Sequence, residues 1–316
     1  MKILNWIGNG LKPSQNGYFE KRSPHDGSLL RKVSRSSGPE VDEAVAVAKK
    51  AQVAWAQTPA VKRGELLRKI ASRLEENKAL VASIVTAETG KSPSLAIGET
   101  EGAVSLGYFF AGEGQRLYGR TTTSSVVNRR SATVRQPIGV AGLFVPANTP
   151  IANVAWKVFP ALICGNAAVV KASEDAPLTA WIFARIAYEA GLPGGVLSVV
   201  QGLGPEAGGA LASHPDVGVL SFTGSTDVGK KILGFANERL ARVSLELGGK
   251  NPFVVCDDAD LERAADWAVL SAFSNAGQRC ASASRLIIFK SVYNKFKTLI
   301  LGKTKKLKVG PSDVDD

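Results

Sequence analysis

Metal-ligating residues are nearly missing from this sequence. Its 316 residues include three cysteines (Cys164, Cys256, Cys280) and two histidines (His25, His214), too scattered for a CxxC metal site or a disulfide framework. Neither a zinc centre nor a secreted disulfide scaffold is expected. Long apolar runs are missing as well: nowhere do 18 uncharged apolar residues run together. The opening "MKILNWIGNGL" has one lysine and an apolar run broken by Asn5 and Gly8, short of a signal-peptide core. The expectation is a cytoplasmic protein with no membrane segment, and no internal repeat or low-complexity linker interrupts it.

Acidic residues are the third scarcity, at 28 against 39 Lys and Arg, for a net charge of +11. None occurs between Arg285 and Lys308, where eight basic residues stand (Arg285, Lys290, Lys295, Lys297, Lys303, Lys305, Lys306, Lys308). One segment thus supplies most of the imbalance. Such a run reads as a solvated helix face or a face for an acidic neighbour. With no interleaved aromatic platform, no nucleic-acid partner is expected.

What is present is soluble and globular in composition, 45% hydrophobic and 21% charged, and long enough for two domains. After an irregular start, "SGPEVDEAVAVAKKAQVAWAQT" opens a helix in which Ser37 and Glu40 have capping-box spacing. Two more helical stretches follow, at about 60–87 and 95–116. "TTTSSVVNRRSATVRQPIG" then changes to β-branched alternation, a projecting hairpin that suits a bridging or pairing element.

From Gly139 apolar runs ("VAGLFV", "AAVVKA", "VLSVV", "GVLSFT", "RVSLEL") alternate with helical segments. This pattern predicts parallel strands covered on both faces, a doubly wound α/β domain with ligands at the carboxyl ends of its strands. "RLIIFK" predicts a further strand with no later strand to pair with, followed by a basic helix that lacks acidic neighbours.

Cys280, in "SNAGQRCASASRL", sits among small and polar residues after Arg279. A structural cysteine normally follows large apolar side chains, as Cys164 and Cys256 do, so this thiol reads as approachable. "GLGPEAG" follows a strand and opens a helix with GxGxxxG spacing, one residue longer than the usual dinucleotide fingerprint. Gly204 and Gly208 are therefore phosphate-turn candidates, though a helix start needing glycine explains them equally well. At "FTGSTDVG", Gly224 and Ser225 offer donors at a second strand-to-helix junction. Lys171 and Glu174 lie past a strand end, where a carboxylate accepts from a ribose 2′-hydroxyl and repels a 2′-phosphate. An ordinary ion pair is the competing reading.

The motifs "FVPAN", "VVKASED", "SFTGSTDVG", "LELGGKNP" and "GQRC" follow one another in the order and rough spacing of the aldehyde dehydrogenase superfamily, and "NWIGNG" and "ETGKS" are similar too. The resemblance covers essentially the whole chain. It implies an NAD-binding domain (1–117 and 138–248), bridging or oligomerisation strands (118–137) and the N-terminal part of an α/β catalytic domain (249–316). Cys280 matches the nucleophile, which forms a thiohemiacetal and then a thioester. Glu246 matches the general base and Asn148 the oxyanion-hole amide. Lys171 and Glu174 match adenosine-ribose contacts, Ser225 a pyrophosphate contact and Val228 the apolar neighbour of the adenine. The implied cofactor is NAD rather than NADP, the substrate a small-molecule aldehyde, and the full-length form a homo-oligomer.

Two departures stand out. Ala147 replaces a tryptophan common in the family, and a later glutamate motif with most of the catalytic domain is missing, which implies a C-terminally truncated member of low activity. A CoA-acylating relative is the alternative within the enzyme class. A catalytically silent nucleotide-binding fragment is the alternative outside it.

Overall fold

The computed structural model describes residues 2–310; Met1 and residues 311–316, the extremes of the first and last expected units, lie outside them. Five short strands come first: β1 (Lys2–Ile3), β2 (Asn5–Ile7), β3 (Gly10–Lys12), β4 (Tyr18–Arg22) and β5 (Leu29–Ser34). The sequence pattern shows only an irregular start here, because strands of two to six residues carry too little alternation to be legible. Helix α1 (Gly38–Gln57) then begins as its capping-box spacing predicts, Glu40 accepting from the Ser37 N–H at 2.9 Å and from the Gln15 N–H at 2.8 Å.

The periodic stretch 60–87 forms two helices rather than one, α2 (Ala60–Glu76) and α3 (Lys78–Thr89). The break falls at Asn77, whose side-chain amide donates back to the Arg73 carbonyl at 2.8 Å, the local competition with helix hydrogen bonding that short amides offer. Helix α4 (Pro93–Glu113) follows, with Ser92 as its N-cap. The β-branched segment forms an antiparallel hairpin, β6 (Thr121–Thr123) and β7 (Arg130–Ala132), exposed at every strand residue.

The alternating region runs β8 (Val140–Phe144), α5 (Pro150–Ile163), β9 (Ala167–Lys171), α6 (Pro177–Glu189), β10 (Leu197–Val200), a π-helical turn at Gly204–Gly208 leading into α7 (Gly209–Ser213), β11 (Val217–Gly224), α8 (Thr226–Asn237) and β12 (Arg242–Leu247). The sheet order is β12-β11-β8-β9-β10-β2-β3. Its first five strands are mutually parallel, and β2 adds antiparallel to β10, with Trp6 opposite Val199. Strands β8, β9 and β10 are buried at every position, which is why they read as continuous apolar runs. Large apolar clusters pack on the two faces, one centred on Phe159 and Phe183, the other on Phe144, Phe222 and Leu220.

The last unit comprises β13 (Asn251–Val255), α9 (Leu261–Phe273), β14 (Ala283–Ile288) and α10 (Tyr293–Thr304). Two expectations are corrected here. The "RLIIFK" strand has a partner, since β14 pairs in parallel with the earlier β13 over a small core that includes Val255, Leu261 and Phe296. The basic helix also has acidic neighbours: Lys303 meets Asp266 at 2.5 Å and Glu262 at 3.2 Å on α9, and these bonds, Asp266 foremost, raise its pKa.

Helices α5 and α6 both start with proline, and their N-cap residues Thr149 and Ala176 supply no side-chain cap. The free N–H groups of a helix start need acceptors, and two buried glutamates from the helical layer provide them. Glu99 Oε1 accepts from the N–H groups of Ile151 (3.0 Å) and Ala152 (3.2 Å). Glu88 accepts from Leu178 N–H (2.7 Å), Thr179 N–H (3.0 Å) and the Thr179 hydroxyl (2.7 Å).

Burial pushes the Glu88 pKa up to about 7 from 4.5, against the downward pull of these donors and of Lys21. Between those values the unfolded chain ionises while the folded one keeps its proton. Stability therefore falls as pH rises through that window. Urea midpoints measured from pH 4.5 to 7 should decline in the parent and decline less in Glu88→Gln; equal slopes would remove Glu88 as the source.

Candidate active site

The strand ends of the parallel sheet open onto a cleft of about 480 Å³, lined by Lys171, Glu174, Gly204, Gly208 and Val228 together with Phe144, Phe222, Lys231 and Phe235. Five of the expected cofactor residues are thus brought together by β9, the Gly204–Gly208 turn and α8. Lys171 Nζ donates to Glu174 Oε2 at 2.7 Å. Burial lowers the Lys171 pKa against the opposing pull of Glu174. Burial raises Glu174, but the Lys171 ammonium and hydrogen bonds more than offset it, so its carboxyl stays below its ordinary range.

The cleft is open beside both glycines of the turn. A Cβ at Gly204 would have Glu174 Oε1 as its nearest neighbour, at 3.8 Å, and one at Gly208 would meet only Phe144, at 3.9 Å. Gly202, which precedes the turn, instead has φ +134 and packs its Cα face against the Ser36 backbone; its glycine serves the strand exit. Gly224 and Ser225 stand at the β11–α8 junction and are not among the residues lining the cleft. Ser225 Oγ is engaged as the N-cap of α8, accepting from the Val228 N–H at 3.3 Å.

A second cleft, of about 300 Å³, is lined by Cys280 and Glu246 with Leu106, Thr149, Ala152, Asn153, Trp156 and Thr223. Thr223 lines both clefts and is paired across the sheet with Glu246. Cys280 is exposed in the loop after α9, and its carbonyl accepts from the Asn251 side-chain amide. Asn148 follows β8 and reaches the same loop: its Nδ2 donates to the Gln278 carbonyl at 2.8 Å, and its own carbonyl accepts from the Asn275 amide at 2.9 Å. Asn275 and Ala276 hold left-handed backbone, φ 53 and 54, which turns the chain sharply just before the thiol.

Two residues of this neighbourhood escape sequence reasoning. Lys157 is 3% exposed on α5 and donates to Ser221 Oγ at 2.8 Å. Burial brings its pKa down to about 8, and the Glu246 carboxylate pulls the other way. Its signal was there to see: it is the one charged residue in "PIANVAWKVFPALI". Thr223 carries no comparable signal, and its hydroxyl is buried without a hydrogen-bond partner.

The family model described as the aldehyde dehydrogenase family matches residues 11–316. This chain belongs to the aldehyde dehydrogenase family. It is 38% identical over 315 residues to the alpha-ketoglutaric semialdehyde dehydrogenase of Bacillus subtilis, an alignment covering 99% of this chain and 64% of that protein. Among solved structures, an NADP-dependent enzyme of E. coli superposes with a TM-score of 0.97 at 35% identity, over 99% of this chain and 66% of its own. PnpE in complex with nicotinamide adenine dinucleotide gives a TM-score of 0.97 at 35% identity, over 99% and 65%. The chain spans less than two thirds of the length of each of these three proteins. Among the described residues no helix is long and apolar enough to cross a membrane.

The thiols of this aldehyde dehydrogenase chain are distinguished by surroundings rather than by access, because Cys164 is exposed as well as Cys280. The apolar run before Cys164 does not bury the residue, which caps the C-terminus of α5. Its thiol is nonetheless crowded enough that burial raises its pKa, offset in part by Arg63 and Arg135. A higher pKa leaves less thiolate to react. Brief iodoacetamide treatment near neutral pH should label Cys280 before Cys164 by peptide mass mapping; the reverse order would count against Cys280 as the approachable thiol.

Proposed function

We propose that this chain carries the coenzyme cleft and the nucleophile of an NAD-dependent aldehyde dehydrogenase of the hydrolytic type, which oxidises a small-molecule aldehyde to a carboxylate. The observation that carries the reading is the single cleft shared by Cys280 and Glu246, joined through Thr223 to the cleft of Lys171 and Glu174.

The first cleft suits a dinucleotide. Val228, Ile232, Phe235 and Phe222 line an apolar slot for a flat base, the Lys171–Glu174 pair supplies polar partners for ribose hydroxyls, and Gly204 and Gly208 leave room for close backbone approach. Gly224 and Ser225, at the start of α8, are the proposed neighbours of the pyrophosphate. When bound, NAD supplies the hydride acceptor for the oxidation.

The remaining chemistry belongs to the chain's own residues. The Cys280 thiolate adds to the aldehyde carbon, and the carbonyl oxygen gathers negative charge. Asn148 Nδ2, which has two N–H bonds and uses one on Gln278, is the proposed side-chain donor to that oxygen; such a donor is worth about 3 kcal/mol in the transition state. Loss of hydride leaves a thioester on Cys280. Glu246 then takes a proton from water, the resulting hydroxide attacks the thioester carbonyl, and the Cys280 thiolate departs. Lys157 lies buried within electrostatic range of Glu246. A carboxylate in the thiol's own cleft supports hydrolysis over transfer to CoA.

In the full-length enzyme, residues 118–137 are proposed as the bridging element of a cytoplasmic homo-oligomer, supported by the wholly exposed strands of β6 and β7.

Cys280→Ala should abolish both aldehyde oxidation and acylation by an activated ester while leaving the far-ultraviolet circular dichroism unchanged. In a length-completed version of the chain, Glu246→Gln should accumulate acyl-Cys280, seen by intact mass, with steady-state turnover lowered at least ~100-fold. Undiminished turnover in Glu246→Gln would remove that residue from the mechanism.

Cofactor choice is a separate test. Glu174 should favour NAD over NADP by about tenfold, ~1.4 kcal/mol, since a half-buried carboxylate opposes a 2′-phosphate. Calorimetric titration giving equal dissociation constants would show that Glu174 does not face the ribose.

A further inference from the structure

Behind the Asn148 segment lies an ion pair that lines neither cleft. Lys91, in the turn after α3, and Glu99, on α4, are bonded to each other with side chains only 4% and 5% exposed. Burying two charges is costly unless their remaining hydrogen-bonding capacity is satisfied. Here it is satisfied by one short piece of backbone. Lys91 Nζ donates to the Asn148 carbonyl at 2.9 Å. Glu99 Oε1 accepts from the N–H groups of Ile151 and Ala152, at 3.0 and 3.2 Å, while its Oε2 holds Lys91. The pair therefore grips both ends of the segment 148–152, carbonyl at one end and helix-start N–H groups at the other.

That segment continues directly to the thiol loop. The Asn148 carbonyl held by Lys91 also accepts from Asn275 Nδ2 at 2.9 Å, and the Asn148 side chain donates to Gln278 O at 2.8 Å. Cys280 is two residues on. The path Glu99, Lys91, Asn148, Asn275 and Gln278 is continuous in hydrogen bonds, and Thr149 contributes no side-chain cap that would fix α5 without it.

We propose that the buried Lys91–Glu99 pair is a positioning device that sets the Asn148 amide against Cys280, so that its loss impairs attack on a carbonyl more than it impairs the thiol itself. The proposal rests on the reading of Cys280 as nucleophile and Asn148 as oxyanion donor. Neither Lys91 nor Glu99, nor Asn148 itself, lines the Cys280 cleft; Lys91 and Glu99 reach the thiol loop through the hydrogen bonds that Asn148 makes to Gln278 and Asn275. About 1 Å of misplacement is enough to lower such a step on the order of a hundredfold.

The test compares Glu99→Gln, an isosteric change that keeps an acceptor for α5, and Lys91→Met with the parent chain. Two reactions of Cys280 are followed by intact mass: acylation by p-nitrophenyl acetate, which develops an oxyanion, and alkylation by iodoacetamide, which does not. Acylation should fall at least tenfold in both variants with alkylation unchanged within twofold, and Asn148→Ala combined with Glu99→Gln should be no slower than Asn148→Ala alone. Parallel losses in both reactions, or additivity with Asn148→Ala, would overturn the positioning role.

Hydrogen exchange by mass spectrometry gives a readout independent of the chemistry. Peptides spanning 148–152 and 274–280 should lose protection together in Glu99→Gln, and loss confined to 148–152 would equally overturn the proposal. Failure of the proposed function shows differently, as absence of acyl-Cys280 in the parent chain. If Lys91→Met does not fold, Glu99→Gln alone decides.

Discussion

The start of a buried helix has to find acceptors for its N–H groups, and in this molecule two such starts find them in carboxylates from another layer. Helices α5 and α6 leave the carboxyl ends of β8 and β9, where both candidate clefts open, and both begin with a proline that fixes the first turn without offering a donor. Glu99 and Glu88, on α4 and α3, close those starts from outside. The loops between strand and helix, which bear Asn148 and Glu174, are thereby fixed at their far ends as well as at the strand. A doubly wound sheet supplies the near anchor automatically; the far anchor is this cross-layer capping.

The same constraint explains why the N-terminal helices and the alternating region form one packed body. Residues from α2, α3 and α4, such as Leu67, Val85 and Ala103, are fully buried in one cluster with Phe159 and Phe183 of α5 and α6. Strand β2 from the chain's start shields the β10 edge that would otherwise be open to pairing. The helical layer thus excludes water from Glu88 and Glu99, and it is this exclusion that gives their hydrogen bonds weight. Apolar packing and polar capping are two aspects of one interface here.

Legibility in the sequence follows the range of the interactions involved. Strands β8 to β10 could be placed because burial on both faces writes itself into consecutive residues, and the half-exposed β11 and β12 through their place in the same alternation of strand and helix. The split at Asn77, the short strands before α1 and the pairing of β14 with the earlier β13 could not, since each depends on a partner or a single side chain that periodicity does not register. The capping glutamates are the extreme case: Glu88 lies 90 residues from Leu178 and Glu99 lies 52 from Ile151, so no local spacing marks them, unlike Ser37 and Glu40. The meeting of Lys171, Glu174, Gly204, Gly208 and Val228 in one cleft was legible from strand-end logic and from the family resemblance. Lys157 was legible in principle, as a lone charge in an apolar helix, whereas Thr223 was not.

Lys157 also bears on why the edge of the sheet is a workable place for a base. Glu246 lies on β12, the outermost strand of the sheet, and is exposed. Lys157, by contrast, is buried on the helix covering the sheet and gives up part of its basicity to be there. The two are therefore asymmetric: the lysine bears the desolvation while the carboxylate residue is exposed. In the proposed reaction that asymmetry is useful, because the base needs water at hand and a charge to accept its proton. The edge strand, which is a liability for aggregation in most sheets, here keeps a carboxylate exposed in the cleft that it shares with a thiol.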